Sequence, residues 1–174
     1  MTPLVLTLIG DDRAGLVSAV ATAVTEHGGN WDRSQMAELA GKFAGIVLVT
    51  VPDDRVDEFT DALEPLHGLL DVTVQRGDEG AVTASADTTR WSLQLLGSDH
   101  PGIVSDISGV LAEHGVSIDA FTSSTREAPM ASGMLFEAVA DLDVPASTDV
   151  DALRAALENL ANELMVDIEL DADI

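Results

Sequence analysis

The chain is 174 residues long and 46% hydrophobic, enough for one ordinary domain or for two small ones. Its 31 acidic and 8 basic residues leave a formal charge of −23, which excludes a phosphate-neutralising nucleic-acid surface and disfavours an anionic membrane. Cysteine is absent, so disulfides, thiolate catalysis and Cys-ligated metal centres are excluded together. No apolar run reaches the roughly 18 residues of a membrane span, and Met1-Thr2-Pro3-Leu4 carries no basic stretch, so a cytoplasmic chain is expected.

An internal repeat organises the chain. Ile9-Gly10-Asp11-Asp12-Arg13-Ala14-Gly15-Leu16-Val17-Ser18 returns as Leu96-Gly97-Ser98-Asp99-His100-Pro101-Gly102-Ile103-Val104-Ser105, an offset of 87, and Glu26-His27-Gly28 returns as Glu113-His114-Gly115 at the same offset. In chain order, the short apolar run Leu4 to Ile9 predicts a buried strand. Leu16, Val17, Val20 and Val24 then recur at helical spacing, and Gly28 stands where a left-handed C-cap belongs. Two strand-like segments follow, Asn30 to Leu39 and Phe43 to Val51, then a helix marked by Val56, Phe59 and Leu63 and ended by Pro65. Leu70, Val72 and Val74 alternate with Asp71, Thr73 and Gln75, the pattern of a strand with one wet face. Residues 78–89, rich in Gly, Ala, Ser, Thr and Asp and without periodicity, read as a linker between a first domain, 1–77, and a second, 90–174.

The second half runs through the same order. A strand over Trp91 to Leu96 precedes a helical stripe of Ile103, Val104, Ile107, Val110 and Leu111, closed by Gly115. Strands near Ser117 to Thr125 and Gly133 to Ala140 lead to a helix marked by Val150, Leu153, Leu157, Leu160 and Leu164, and Val166, Ile168 and Leu170 close the half by alternation. Gly45 meets Gly133 at an offset of 88, while Leu70-Asp71-Val72 meets Val166-Asp167-Ile168 at 96, which places the added residues around Asp141 to Asp149 as a lengthened surface loop. The fold class predicted is α+β: two ferredoxin-like βαββαβ domains, each a four-stranded antiparallel sheet with two helices on one face. The other face of each sheet is expected to meet a neighbouring copy.

Each half carries a Gly-x-x-x-x-Gly loop between its first strand and first helix, Gly10 to Gly15 and Gly97 to Gly102. A phosphate cradle would continue with Lys and Ser or Thr, yet Leu16-Val17 and Ile103-Val104 follow, and Asp11, Asp12 and Asp99 would repel phosphate. A small zwitterion meets no such objection: its carboxylate suits helix N–H groups and its ammonium an Asp. The competing reading is that Asp12 and Asp99 cap the helices and the glycines make the turn.

Asp12-Arg13-Ala14-Gly15-Leu16-Val17 and Asp99-His100-Pro101-Gly102-Ile103-Val104, each followed by Gly28 or Gly115 and then by Asn30 or Ser117, resemble the ACT domain, a regulatory ferredoxin-like module that often binds amino acids. The resemblance covers nearly the whole chain, and two copies without an attached enzyme are similar to the glycine cleavage system transcriptional repressor group. It implies a site between adjacent domains, lined by the first loop and by the residue opening the second strand. Carried onto this chain, the ligand-binding positions are Asp11, Asp12, Arg13, Ala14, Gly15 and Asn30, with Ser98, Asp99, His100, Pro101, Gly102 and Ser117 in the second copy. Asp12 and Asp99 stand where some binding members carry an uncharged amide, and Ser117 replaces Asn30, so the two copies are not equivalent.

Other features read more plainly. His27 and His114 belong to last helical turns, and His67 carries no signal. Asp11-Asp12 and Asp53-Asp54 read as solvated turn acids, so neither a metal site nor a cofactor is expected. Met130 and Met134 read as packing residues; Trp31 and Trp91 open strands and pack either in the core or in an interdomain or dimer contact. No nucleophile–base constellation is present. The expected function is a non-enzymatic regulator, a homodimer that binds a small amino acid and signals to a protein partner, with transcriptional control of amino-acid (glycine) metabolism as one setting. The alternative is a ligand-independent interaction or assembly module.

Overall fold

The computed structural model describes residues 1–66, 68–77, 87–128 and 133–172. The chain divides into two compact units, Met1–Ala84 and Ser85–Ile174. In the first, alternation of leucines with smaller or polar residues makes β1 (Thr2–Asp11), which buries Leu4, Leu6 and Leu8 on one face. Helix α1 (Leu16–Glu26) lays Leu16, Val20, Ala23 and Val24 over that face. The hairpin of β2 (Asn30–Leu39) and β3 (Lys42–Val51) supplies Val47, Val49 and Val51, and α2 (Val56–Leu63) adds Phe59 and Leu63. Strand β4 (Asp71–Arg76) completes an antiparallel sheet of order β2-β3-β1-β4.

The second unit repeats the plan with β5 (Thr88–Ser98), α3 (Ile103–Glu113), β6 (Ser117–Glu127), β7 (Met134–Pro145), α4 (Val150–Leu164) and β8 (Val166–Ala172), in the order β6-β7-β5-β8. Its core gathers Leu93, Leu95, Ile107, Leu111, Leu142, Leu153 and Leu157. Both cores are apolar throughout the described residues, with no buried polar or charged side chain, so burial of hydrocarbon drives each fold. Most of the 78–89 stretch lies outside the described residues, as do His67 and Met130; Thr88 and Thr89 already belong to β5.

Both first helices end as the glycines imply. Gly28 and Gly115 take φ of 69° and 71°, and the rings of His27 and His114 turn back so that Nδ1 meets the carbonyls of Ala23 at 2.7 Å and Val110 at 2.9 Å. Each histidine therefore serves its own helix C-terminus. Trp31 and Trp91 both pack against the core of their own unit, and the Arg154 guanidinium lies 6.0 Å from the Trp91 ring. Met134 opens β7 with 42% exposure.

Two expectations are corrected. Val17 and Val104 are each 43% exposed: one step from Leu16 and Ile103, they fall at the flank of the helical stripe rather than within it. The added residues of the second copy are also elsewhere. Leu6 pairs with Val47 and Leu93 with Ala140, so β3 and β7 correspond at an offset of 93, and the counterpart of Gly45 is Ala138, not Gly133. Asp141 to Pro145 are strand, with Leu142 and Val144 buried, and not a surface loop. The growth begins at the β6–β7 turn: Leu39 and Lys42 are joined by Ala40-Gly41 with φ of 52° and 78°, whereas their counterparts Arg126 and Leu135 enclose residues 127–134. The closing offset of 96 holds, because Val74 and Leu170 face Leu6 and Leu93. The remaining three residues fall between β7 and β8, where α4 runs 15 residues and α2 in the first copy runs 8 with short 3-10 turns on either side.

Candidate functional site

The loop between first strand and first helix is shaped by its glycines. A Cβ at Gly10 would lie 2.4 Å from the Leu69 carbonyl oxygen, and one at Gly97 would lie 2.2 Å from Val166 Cγ1, so the segment entering the last strand crosses directly over each loop. Gly15 and Gly102 take φ of 96° and 98° as the helix N-caps, conformations that L side chains resist.

Neither helix start is closed by a side-chain cap, so Asp12 and Asp99 do not cap. Their backbones have another task. The Asp12 N–H donates to the Gly41 carbonyl at 2.9 Å and the Asp99 N–H to that of Met134 at 2.8 Å, pinning each loop to the β-hairpin of its own copy. The carboxylates of Asp12 and Asp99 are left exposed beside the positive end of a helix dipole. Asp11 is committed differently: Lys42, the chain's single lysine, hydrogen-bonds and ion-pairs with it and holds its carboxyl below the usual range. In the second copy Ser98 and Leu135 occupy these two places, so that pair is unique to the first loop. Arg13, Ala14 and Pro101 are exposed, and His100 Nδ1 lies 3.3 Å from the Pro101 carbonyl.

Asn30 and Ser117 open β2 and β6 and are exposed. The Asn30 amide donates to Asp32 at 2.6 Å, and Asp119 lies 3.6 Å from Arg90. Both aspartates sit at bulges where strand register shifts, between Trp31 and Arg33 and between Ile118 and Ala120. Sequence reading missed this pair, although the repeat offset of 87 links Asp32 to Asp119 and could have flagged it.

Within one copy the predicted site residues are not brought together. Asp11 faces Lys42, which faces Leu39, at one end of the sheet; Asn30 faces Thr50, which faces Pro3, at the other. From Pro3 to Asp11 the strand extends about 26 Å. The second copy repeats the separation, with Ser98, Leu135 and Arg126 in register at one end and Ser117, Asp143 and Arg90 at the other. Among the described residues, no group of three or more His, Asp or Glu could hold a metal ion, and no helix is long and apolar enough to cross a membrane.

Two βαββαβ units, each with a glycine-bounded loop behind its first strand, define a tandem ferredoxin-like protein. The chain belongs to the ACT-domain family: residues 2–76 and residues 91–162 each match a family model described as ACT domain. A UPF0237 protein of Methanopyrus kandleri is 36% identical over 80 residues, 46% of this chain and 83% of that protein. An unknown protein from Galdieria sulphuraria has the same fold over 99% of both chains, with TM-score 0.89 and 29% identity. A candidate glycine cleavage system transcriptional repressor aligns over 99% of this chain and 97% of its own, with TM-score 0.70 and 19% identity, a likeness of fold.

Proposed function

We propose that this protein is a non-enzymatic regulator that works as a homodimer, binds a small amino acid between ACT copies, and passes the resulting change in arrangement to a protein partner. ACT-family membership supports the regulatory role. The observation that carries the ligand reading is the loop itself: a helix start without a side-chain cap next to an exposed aspartate whose carboxylate has no capping duty. Such a place offers N–H groups to a carboxylate and Asp12 or Asp99 to an ammonium. Asn30 or Ser117 would orient the ligand, and because those residues lie at the far end of their own sheet, a seat using both ends draws them from different copies.

The mechanism is linkage. A ligand spanning two copies favours one relative arrangement, and shifts the equilibrium only by its difference in affinity for the arrangements available. With a charge of −23, contact with DNA would run through a basic partner rather than through this chain. Control of transcription in glycine metabolism is the setting suggested by the name of the candidate repressor that shares the fold, which makes glycine the first ligand to test.

Calorimetric titration of the parent with glycine and a panel of other amino acids tests the reading, with Asp12→Ala and Asn30→Ala beside it. Binding to the parent that weakens in the variants is expected. Silence across the panel, or unchanged binding in both variants, removes the assigned site. One observation favours the alternative of a ligand-independent assembly module: the Asn30 amide is already engaged by Asp32. A thermal-shift panel separates the two, since a ligand of the folded state raises the melting temperature by mass action and an assembly module shows no such rise.

A further inference from the structure

Each sheet is covered by helices on one face and open on the other, and the two open faces of this chain have diverged. On the first, Ile9, Ile46 and Leu48 dominate, and Arg33 and Asp71 carry opposite signs. On the second, Leu96 and Val139 hold the centre, 39% and 49% exposed, and carboxylates surround them. The ladders equate Asp141 with Leu48, Glu169 with Thr73 and Asp171 with Gln75, three charges at places where the first copy has none, while Asp167 repeats Asp71. Among the described residues none of these four second-copy carboxylates has an ion-pair partner. The cations on the same face are already engaged, Arg126 with Glu137 at 3.3 Å and Arg90 with Asp119 at 3.6 Å.

The second face is also concave. Twist of its strands leaves a hollow of about 670 Å³, floored by Leu96 and Val139 and bounded by Thr122 and Ser124 of β6 on one side and by Asp167 and Glu169 of β8 on the other. Three strand spacings of about 4.8 Å separate β6 from β8, so the hollow is about 14 Å wide, against about 10–12 Å for an α-helix with its side chains.

We infer that the open sheet face of the second domain is a docking surface for a protein partner, and that the segment it takes is an amphipathic helix with a basic flank. Apolar side chains of that helix would rest on Leu96 and Val139, and its lysines or arginines would face β8. The inference rests on the reading that this chain signals to a protein partner, and gives that partner a place and a chemistry. Charge decides among the occupants. A second copy would set its own carboxylates against these, and a nucleic acid its phosphates, whereas a basic helix gains Coulomb attraction and apolar burial together.

Fluorescence anisotropy tests it on the full chain, with a labelled amphipathic helical peptide of leucine and lysine as the probe. The parent should bind it, more weakly as salt is added. Asp167→Asn with Glu169→Gln should weaken binding about 10-fold, and Val139→Lys, which puts a cation on the floor, at least as much. Glu158→Gln with Glu163→Gln makes the same change of charge on exposed positions of α4, across the sheet, and should stay within about 2-fold of the parent. No binding to the parent, or equal loss in the two double variants, overturns the surface. Light scattering adds a further check: a fall from dimer to single-chain mass in Val139→Lys would show that a second copy covers this face, and overturns the basic occupant. Amino-acid calorimetry keeps the effector reading apart. Peptide binding without amino-acid binding removes the effector and leaves this surface, and the converse removes this surface alone.

Discussion

Replacing Gly97 by Ala tests the packing that shapes the second loop. The added Cβ would sit 2.2 Å from Val166 Cγ1, 2.7 Å from its Cβ and 3.0 Å from its Cα. Carbon atoms rest at about 3.5–4.0 Å, so the overlap exceeds 1 Å at the methyl and reaches the backbone of β8 as well. Rotating Val166 cannot clear it, because Gly97 and Val166 face each other as the end pair of the β5–β8 ladder and Val166 is 8% exposed. Overpacking of this kind costs about 1–3 kcal/mol, and backbone involvement places Gly97→Ala near the top, about 3 kcal/mol. With a urea m-value of about 1.5 kcal/mol/M, the midpoint of the second unit should fall by about 2 M.

The tryptophans make the assay specific, since Trp31 packs on the first core and Trp91 on the second; in a Trp31→Phe background fluorescence follows the second unit alone. Val166→Ala should return about 1 kcal/mol in the double variant, a coupling readable from a mutant cycle. Gly10→Ala differs in kind, because its obstacle is the Leu69 carbonyl oxygen at 2.4 Å, which no side-chain deletion moves. A loss below about 0.5 kcal/mol for Gly97→Ala, or strict additivity with Val166→Ala, would refute the reasoning.

Other outcomes follow from the helix ends and the loops. Asp149 caps α4 by accepting from the Ala152 N–H at 3.0 Å, so Asp149→Ala should cost about 1 kcal/mol by urea denaturation, whereas Asp12→Ala and Asp99→Ala, which remove no cap, should stay within about 0.5 kcal/mol. Asp11 titrates below the usual carboxylate value because of its hydrogen bond to Lys42. The stability it adds is therefore present above that usual value and is lost as pH falls through the depressed one. Carbon-detected NMR titration of Asp11 should show the low value in the parent and a return toward normal in Lys42→Met; an unchanged titration in the variant would contradict the assignment.

Periodicity made the element order legible, and some boundaries with it: β2 begins at Asn30 and ends at Leu39, and α4 spans Val150 to Leu164, as the apolar spacing implies. The doubled glycine loop was legible because backbone geometry there admits little else, as φ at Gly15 and Gly102 shows. Glycine misled when used for register. Matching Gly45 to Gly133 equated a strand residue that faces Leu8 with a turn residue at φ 135°, and so hid where the second copy had grown. Strand pairing is a relation between distant segments, and one segment's composition does not encode it. Asp11 shows the same limit: its partner Lys42 is 31 residues away, brought close only by the β1–β3 ladder.

The separation of loop and strand opening within each copy carries a genetic consequence. If a seat takes its Asp99 loop from one chain and Ser117 from the other, two Asp99→Ala chains spoil both seats of a dimer, and so do two Ser117→Ala chains. A hybrid of one of each concentrates both lesions in a single seat and leaves its twin wild-type. Two alleles that are each inactive at the second-copy seat would then complement each other, since a hybrid dimer regains one of its two second-copy seats where neither homodimer fills any.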